Sequence, residues 1–201
     1  MRLLIDTDAF CKLAIGDVLE ATMALFGADL TECGRLAALP HMLKRGKLRK
    51  MLGDLASDEI ASKAQGVQAM ENPSSQWIER LAGAEAVDPG EAQLFALAAE
   101  TDRIVVSGDK RALRALKDVP DICDMLRGRI VALEAALIAL CDLHGSDHIK
   151  GRVGPLVAID TAMRVCFSSG SPPDALMSYF RHLEGEVAPL CLWQPRNGVS
   201  P

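Results

Sequence analysis

The sequence predicts a three-layer α/β fold, a central parallel sheet with helices on both faces, followed by a C-terminal helical extension. Three observations carry that expectation. Two short continuous apolar runs, Leu3-Leu4-Ile5 and Ile104-Val105-Val106, are each ended at once by polar or acidic residues. Runs of this kind are buried parallel strands, covered on both faces. Around them, apolar residues recur at three- and four-residue spacing, which is helical. An opening strand and helix, then helix, strand and helix, supplies the crossovers that a parallel sheet needs.

The elements follow in chain order. Leu3–Ile5 is the first strand, closed by Asp6-Thr7-Asp8, and Ala9–Ile15 the first helix. Helical spacing covers Arg35–Leu52, Asp58–Met70 and Trp77–Leu81, with glycines and Asn72-Pro73-Ser74-Ser75 as breaks. Asp88-Pro89-Gly90-Glu91 is a helix start: Asp as N-cap, Pro in the first helical position, Glu in the third, ahead of Leu94, Phe95, Leu97 and Ala98. The second strand, Ile104–Val106, ends in Ser107-Gly108-Asp109, and Lys110–Leu116 is the next helix. Asp142–Gly154, rich in glycine, reads as a connection, Pro155–Phe167 and Pro173–Leu183 as two helices, and Pro189–Pro201 as an irregular tail. The organisation expected is a main domain over 1–141 and a helical extension over 142–201, packed on the core or on a second copy of the chain.

Composition narrows the classes. The chain has 201 residues, 49% hydrophobic and 24% charged, which excludes disordered and fibrous proteins. Lys plus Arg is 22 against 27 for Asp plus Glu, a net charge of -5, so any nucleic-acid surface must be a local basic patch. The apolar stretch Ile130–Cys141 contains Glu134 and is too short for a membrane span. Asp6 and Asp8 interrupt the N-terminal apolar run too early for a signal peptide, and the six scattered cysteines lack paired spacing. They read as small buried hydrophobes in a cytoplasmic chain.

Two strands ending in carboxylates deliver them to one edge of a parallel sheet, where α/β folds leave a ligand crevice. Asp6 and Asp109 are therefore expected to be neighbours. Carboxylates gathered in a partly desolvated cleft repel one another, and a hard cation such as Mg²⁺ or Mn²⁺ relieves this. A capping role accounts for each acid equally simply. Asp6 and Asp109 stand at helix starts, Asp8 where an N-cap is needed, and Glu91 at the third position of a capping box. Ser107 is read as a hydrogen-bonding support.

Leu3-Leu4-Ile5-Asp6-Thr7-Asp8, Asp88-Pro89-Gly90-Glu91-Ala92-Gln93 and Ile104-Val105-Val106-Ser107-Gly108-Asp109-Lys110-Arg111-Ala112 together resemble the PIN-domain family of metal-dependent ribonucleases, in order and spacing, over roughly Met1–Leu140. The resemblance implies a PIN-like fold, Asp6, Glu91 and Asp109 as catalytic and metal-holding residues, Mg²⁺ or Mn²⁺ as cofactor, and RNA as substrate. It also implies either RNA processing or a toxin restrained by an antitoxin-type protein. The chain departs from the family where a further acid is usual: Ala28–Met42 holds only Asp29 and Glu32, and the expected helix reads Arg35-Leu36-Ala37-Ala38-Leu39-Pro40-His41-Met42. A catalytically degenerate PIN-fold interaction module thus stands as an alternative. Asp6-Thr7-Asp8 and Gly108-Asp109 also resemble the Asp-x-Asp and Gly-Asp of haloacid dehalogenase-like phosphatases. Phe10 and the Leu113-Arg114 pair occupy positions where those enzymes favour a hydroxyl residue and a second acid.

Two basic runs are candidate RNA contacts: Lys44, Arg45, Lys47, Arg49 and Lys50, and the face containing Lys110, Arg111, Arg114 and Lys117 beside Asp109. A solvated helix face explains the first run as simply, since aromatic stacking partners are absent nearby. His144 and His148 have a ligand spacing only on a helix, and Gly145-Ser146-Asp147 predicts a loop there.

Overall fold

The computed structural model describes residues 2–195. The chain runs β1 (Leu3–Ile5), α1 (Thr7–Ile15), α2 (Leu19–Ala24), β2 (Cys33–Arg35), α3 (Leu39–Lys44), α4 (Lys47–Leu52), α5 (Asp54–Gln65), β3 (Gln68–Ala69) and α6 (Ser75–Leu81). It continues through α7 (Pro89–Thr101), β4 (Ile104–Ser107), α8 (Lys110–Leu116), α9 (Pro120–Met125), β5 (Ile130–Ala132) and α10 (Leu133–His144). The last helices are α11 (Ser146–Arg152), α12 (Gly154–Ile159), α13 (Thr161–Ser168) and α14 (Pro172–Val187). The five strands form one all-parallel sheet in the order β3-β2-β1-β4-β5. An α/β fold with helices around a central parallel sheet is therefore what the chain adopts, as its two apolar runs required.

The strand order reverses direction between β1 and β4: the chain moves outward from β1 to β2 and β3, then returns to β4 on the other side. At such a switch point the loops leaving two adjacent strands diverge and open a crevice at the strands' carboxyl ends. Leu4 pairs with Val105 and Ile5 with Val106, so the residues that follow, Asp6 and Ser107 to Asp109, emerge side by side. Every residue of β1 is fully buried, as are Val105 and Val106. Hydrophobic burial thereby fixes the register that aligns the acids.

Three strands lay outside the sequence expectation, each for a local reason. Cys33-Gly34-Arg35 lacks a continuous apolar run and becomes β2 only by pairing with Leu3-Leu4-Ile5. Arg35 is thus the end of a strand, not the start of a helix. Its guanidinium is buried, donating to the Ala64 carbonyl at the end of α5 and to the Leu36 carbonyl at 2.9 Å. The helix expected over Asp58–Met70 spans Asp54–Gln65 instead, and the two residues of β3 follow it. Ile130-Val131-Ala132 is β5, indistinguishable in periodicity from the buried α10 that continues the same apolar run.

Further corrections concern the C-terminal part. The stretch expected as a connection, Asp142–Gly154, contains the end of α10 and the whole of α11. Pro155–Phe167 is two helices broken at Asp160, whose carboxylate caps α13 by accepting from the Met163 N–H at 3.0 Å. Helix α14 packs on α10 and α8, burying Leu176, Phe180 and Leu183. The expected irregular tail then pairs with the sheet edge: Leu192 bridges Ile130, and the Trp193 N–H donates to the Ile130 carbonyl at 2.8 Å. Trp193 also meets Phe26 edge-on, centroids 5.3 Å apart. Positions 196–201 of that tail lie outside the described residues. Five cysteines are buried as expected, whereas Cys191 is exposed. Among the described residues no helix is long and apolar enough to cross a membrane.

Candidate active site

A cleft of about 620 Å³ opens at the switch point, and Asp6, Asp8, Asp88, Glu91 and Asp109 all line it. Each acid is placed by a different element. Asp6 ends β1 and precedes α1, where it is 5% exposed. Asp109 is the N-cap of α8: its Oδ1 accepts from the Arg111 N–H at 2.8 Å and the Ala112 N–H at 3.1 Å. Ser107 is buried, and its hydroxyl accepts from the Asp109 N–H at 3.3 Å, steadying that turn.

Glu91 comes from the first turn of α7, in the capping box that Asp88-Pro89-Gly90-Glu91 predicts. Asp88 Oδ1 accepts from the Gly90 and Glu91 amides at 2.8 and 2.9 Å, and Glu91 Oε2 accepts from the Asp88 N–H at 2.7 Å. A Cβ on Gly90 would meet Leu36 Cδ1 at 2.6 Å, so glycine lets α7 approach the segment after β2.

Asp8 is not the N-cap of α1; Asp6 holds that position, and Asp8 sits in the first turn. Its carboxylate is tied to Lys12, one turn on, whose Nζ stands 2.8 Å from Asp8 Oδ2 and 2.8 Å from Asp160 Oδ2. Burial pulls the Lys12 ammonium down, but Asp8 and Asp160 outweigh it and hold the pKa above the ordinary value. Sequence reasoning missed both partners. The four-residue spacing of Asp8 and Lys12 was a usable signal, whereas the distance from Asp160 to Lys12 along the chain left none.

The electrostatics follow from crowding. Burial, then the charges of Asp8 and Asp109, push Asp6 up to about 7, against a smaller lowering by the Gly108 amide. Asp6 Oδ2 is buried with no hydrogen-bond partner. Burial likewise pushes Glu91 up to about 8; the Asp88 N–H opposes this, and the Asp88 and Asp109 charges add to it. Burial acts on Asp109 too, but the Ala112 amide, a hydrogen bond from the Glu91 carboxyl and the Arg111 amide and guanidinium hold it below the ordinary value. Glu91 therefore keeps its proton more readily than Asp109, which is the ionised partner.

These residues share a cleft, yet among the described residues no three His, Cys, Asp or Glu side chains are already disposed around one point as a metal-binding group. Glu91 Oε2 is turned to its own N-cap and Asp109 Oδ1 to α8. Asp6 Oδ2 and the adjacent Thr7 hydroxyl, both in the cleft lining, have nothing to bind, and a buried orphan carboxylate oxygen in a repelling cluster is what a cation would satisfy. In this respect the residues fit a hard divalent ion. The segment where a further acid was sought contributes Leu36, Ala37 and Ala38 to the wall, while Asp29 and Glu32 form a separate capping box. Asn72 and Gln93, also in the lining, were not anticipated.

The basic residues divide. Lys44, Arg45, Lys47 and Lys50 are exposed, and their segment borders the cleft through Met42 and Leu48. Arg49 is engaged, 2.7 Å from Asp54 and 2.6 Å from Asp58. Lys110 turns inward to the buried Glu134 at 2.5 Å and lies over the Tyr179 ring. Arg111 stays exposed, 3.3 Å from Asp109 Oδ2. His144 ends α10 and His148 lies in α11, which replaces the expected loop, with ring centroids 6.2 Å apart.

Comparison with known proteins gives this chain no relative: no family model, no curated protein and no solved structure matches it.

Proposed function

We propose that the protein is a divalent-metal-dependent ribonuclease of the PIN-like kind, hydrolysing RNA phosphodiesters at the cleft between β1 and β4. The observation that carries this reading is that Asp6, Glu91 and Asp109, from three distant chain segments, line one cleft in which a buried oxygen of Asp6 has no partner. Bound Mg²⁺ or Mn²⁺ would activate water and stabilise charge on the phosphate. Asp6 and Asp109, with Glu91 once it releases its proton, are the residues that would hold the ion. Asp8, ion-paired with Lys12, shapes the rim, and Ser107 steadies the turn that presents Asp109. Arg111, beside Asp109, is placed to contact the phosphate from outside. Restraint by an antitoxin-type partner belongs to the same reading and rests on the sequence resemblance alone.

A second reading, a non-cleaving module on the same fold, is favoured by the apolar Leu36-Ala37-Ala38 wall where a fourth carboxylate would stand. One experiment separates the two: cleavage of single-stranded RNA with Mn²⁺ by the native chain, Asp6→Asn and Asp109→Asn. Cleavage by the native protein that falls at least a hundredfold in both variants supports the nuclease. Equal rates in all three, or none in any, remove it.

A further inference from the structure

A second cleft, of about 800 Å³, lies next to the carboxylate cleft, and two stretches of chain run from one to the other. One is the segment joining α6 to α7: residues 83–86 line the second cleft and 88–91 the first. The other is α8 with the turn before it: Asp109 faces the carboxylate cleft, while Arg111, Arg114 and Lys117 face the second. Arg111 and Asp109 touch at 3.3 Å, so the clefts meet at an ion pair.

Arg111, Arg114 and Lys117 follow one another at three-residue steps, which places a cation roughly every 4.5 Å along the axis of α8 and its C-cap. Arg80 faces them from α6, steadied by the Trp77 ring at 4.9 Å and by Asp121 at 2.6 Å. Arg114 is held from behind by Glu186 at 2.7 Å, and the Lys117 ammonium by the Glu186 carbonyl at 3.3 Å, both from α14. The lining holds four basic residues against Glu85, Asp118 and Asp121, in a chain whose net charge is -5. Three of the four are in ion pairs, with Asp121, Asp109 and Glu186, and with the exposed run at 44–50 they are the cations this acidic chain gathers beside the carboxylate cleft. Ala84, Ala86 and Val119 give the trough small apolar walls between the cations.

We infer that the second cleft is the track for the single-stranded nucleic acid that flanks the scissile phosphate, with the backbone on the α8 cations. This rests on the nuclease reading for the strand's identity, but the track is tested without catalysis. Binding of a fluorescein-labelled 12-nucleotide single-stranded RNA is measured by anisotropy in EDTA at several salt concentrations. Arg80→Gln with Lys117→Gln is expected to weaken binding about tenfold. The pair also lowers the slope of log affinity against log salt by about 1.4, the loss of two phosphate contacts on a single strand. Lys44→Gln with Lys50→Gln, on the other rim, is expected to stay within twofold. Each single variant in the second cleft is expected to lose about threefold, so the test survives a double variant that folds poorly. The inference is overturned if the native chain does not bind, if the Arg80 and Lys117 variants bind like native, or if the Lys44 and Lys50 pair carries the loss. Loss confined to the Arg80 and Lys117 variants, in a protein that never cleaves RNA, upholds the track and removes the nuclease.

Discussion

Asp6→Asn tests whether the buried carboxylate is strained in the metal-free protein. Its pKa rises from the ordinary 3.8 to about 7, chiefly through burial. In the unfolded chain this group loses its proton near pH 4, whereas in the fold it keeps it to about pH 7. Stability contributed by the protonated form is complete below about pH 4 and is lost as the pH climbs to about 7. At about 1.36 kcal/mol per pH unit, the loss comes to ~4 kcal/mol. The asparagine does not ionise, so that slope disappears, even though its buried amide shifts the absolute stability by ~1–3 kcal/mol. Urea unfolding of both proteins in EDTA at pH 4.5, 6 and 8 reads the difference. The native chain is expected to fall relative to Asp6→Asn by several kcal/mol between the ends of that range. Mn²⁺ at a hundred times its Kd is expected to return ~2.7 kcal/mol to the native chain at pH 8, and little to the variant. Parallel pH profiles for the two proteins would refute the reasoning.

Two further outcomes concern the scaffold. Phe180→Ala, which empties a fully buried ring site of α14, is expected to cost ~3–5 kcal/mol in urea unfolding, because the C-terminal helix is part of the core; a loss below ~1 kcal/mol would show that helix to be dispensable. Asp88→Ala removes the acceptor of two α7 amides and is expected to cost ~1 kcal/mol. It also lowers Mn²⁺-dependent RNA cleavage, because the Asp88 turn holds Glu91; unchanged stability and unchanged cleavage would refute the capping role.

The legible parts of this molecule are those in which local chemistry and long-range packing agree. Leu3-Leu4-Ile5 and Ile104-Val105-Val106 are apolar because they are buried on both faces, and Asp88-Pro89-Gly90-Glu91 encodes its own capping box. Both features can be read without a partner. β2 and β3 are hidden because Cys33-Gly34-Arg35 and Gln68-Ala69 acquire strand geometry from their neighbours, not from their side chains. β5 is hidden because its apolar residues run without interruption into α10. In the candidate site, Asp6, Glu91 and Asp109 were visible as strand-end and helix-start acids. The Lys12 bridge to Asp160 was not, since it depends on how the last helices fold back, nor was the second cleft, which forms where residues 80–86 meet 111–121.

Capping and ligand binding look like rival explanations for these acids, but a carboxylate has two oxygens. Asp109 gives Oδ1 to the amides of α8 and turns Oδ2 toward Arg111. Glu91 gives Oε2 to the Asp88 amide, which leaves its other oxygen uncommitted to the cap. The hydrogen bonds that fix the two helix starts therefore also orient the acids and keep Asp109 ionised. Charge balance then does the rest. Asp6 and Glu91, raised to about 7 and about 8, hold protons toward neutrality because burial, and then the charges of neighbouring acids, penalise their ionised forms. A divalent ion entering the cleft would replace those protons, so its affinity must rise with pH across the same range. Helix capping thus fixes the direction of Glu91 and Asp109, and burial together with repulsion among the acids supplies the drive to bind a cation.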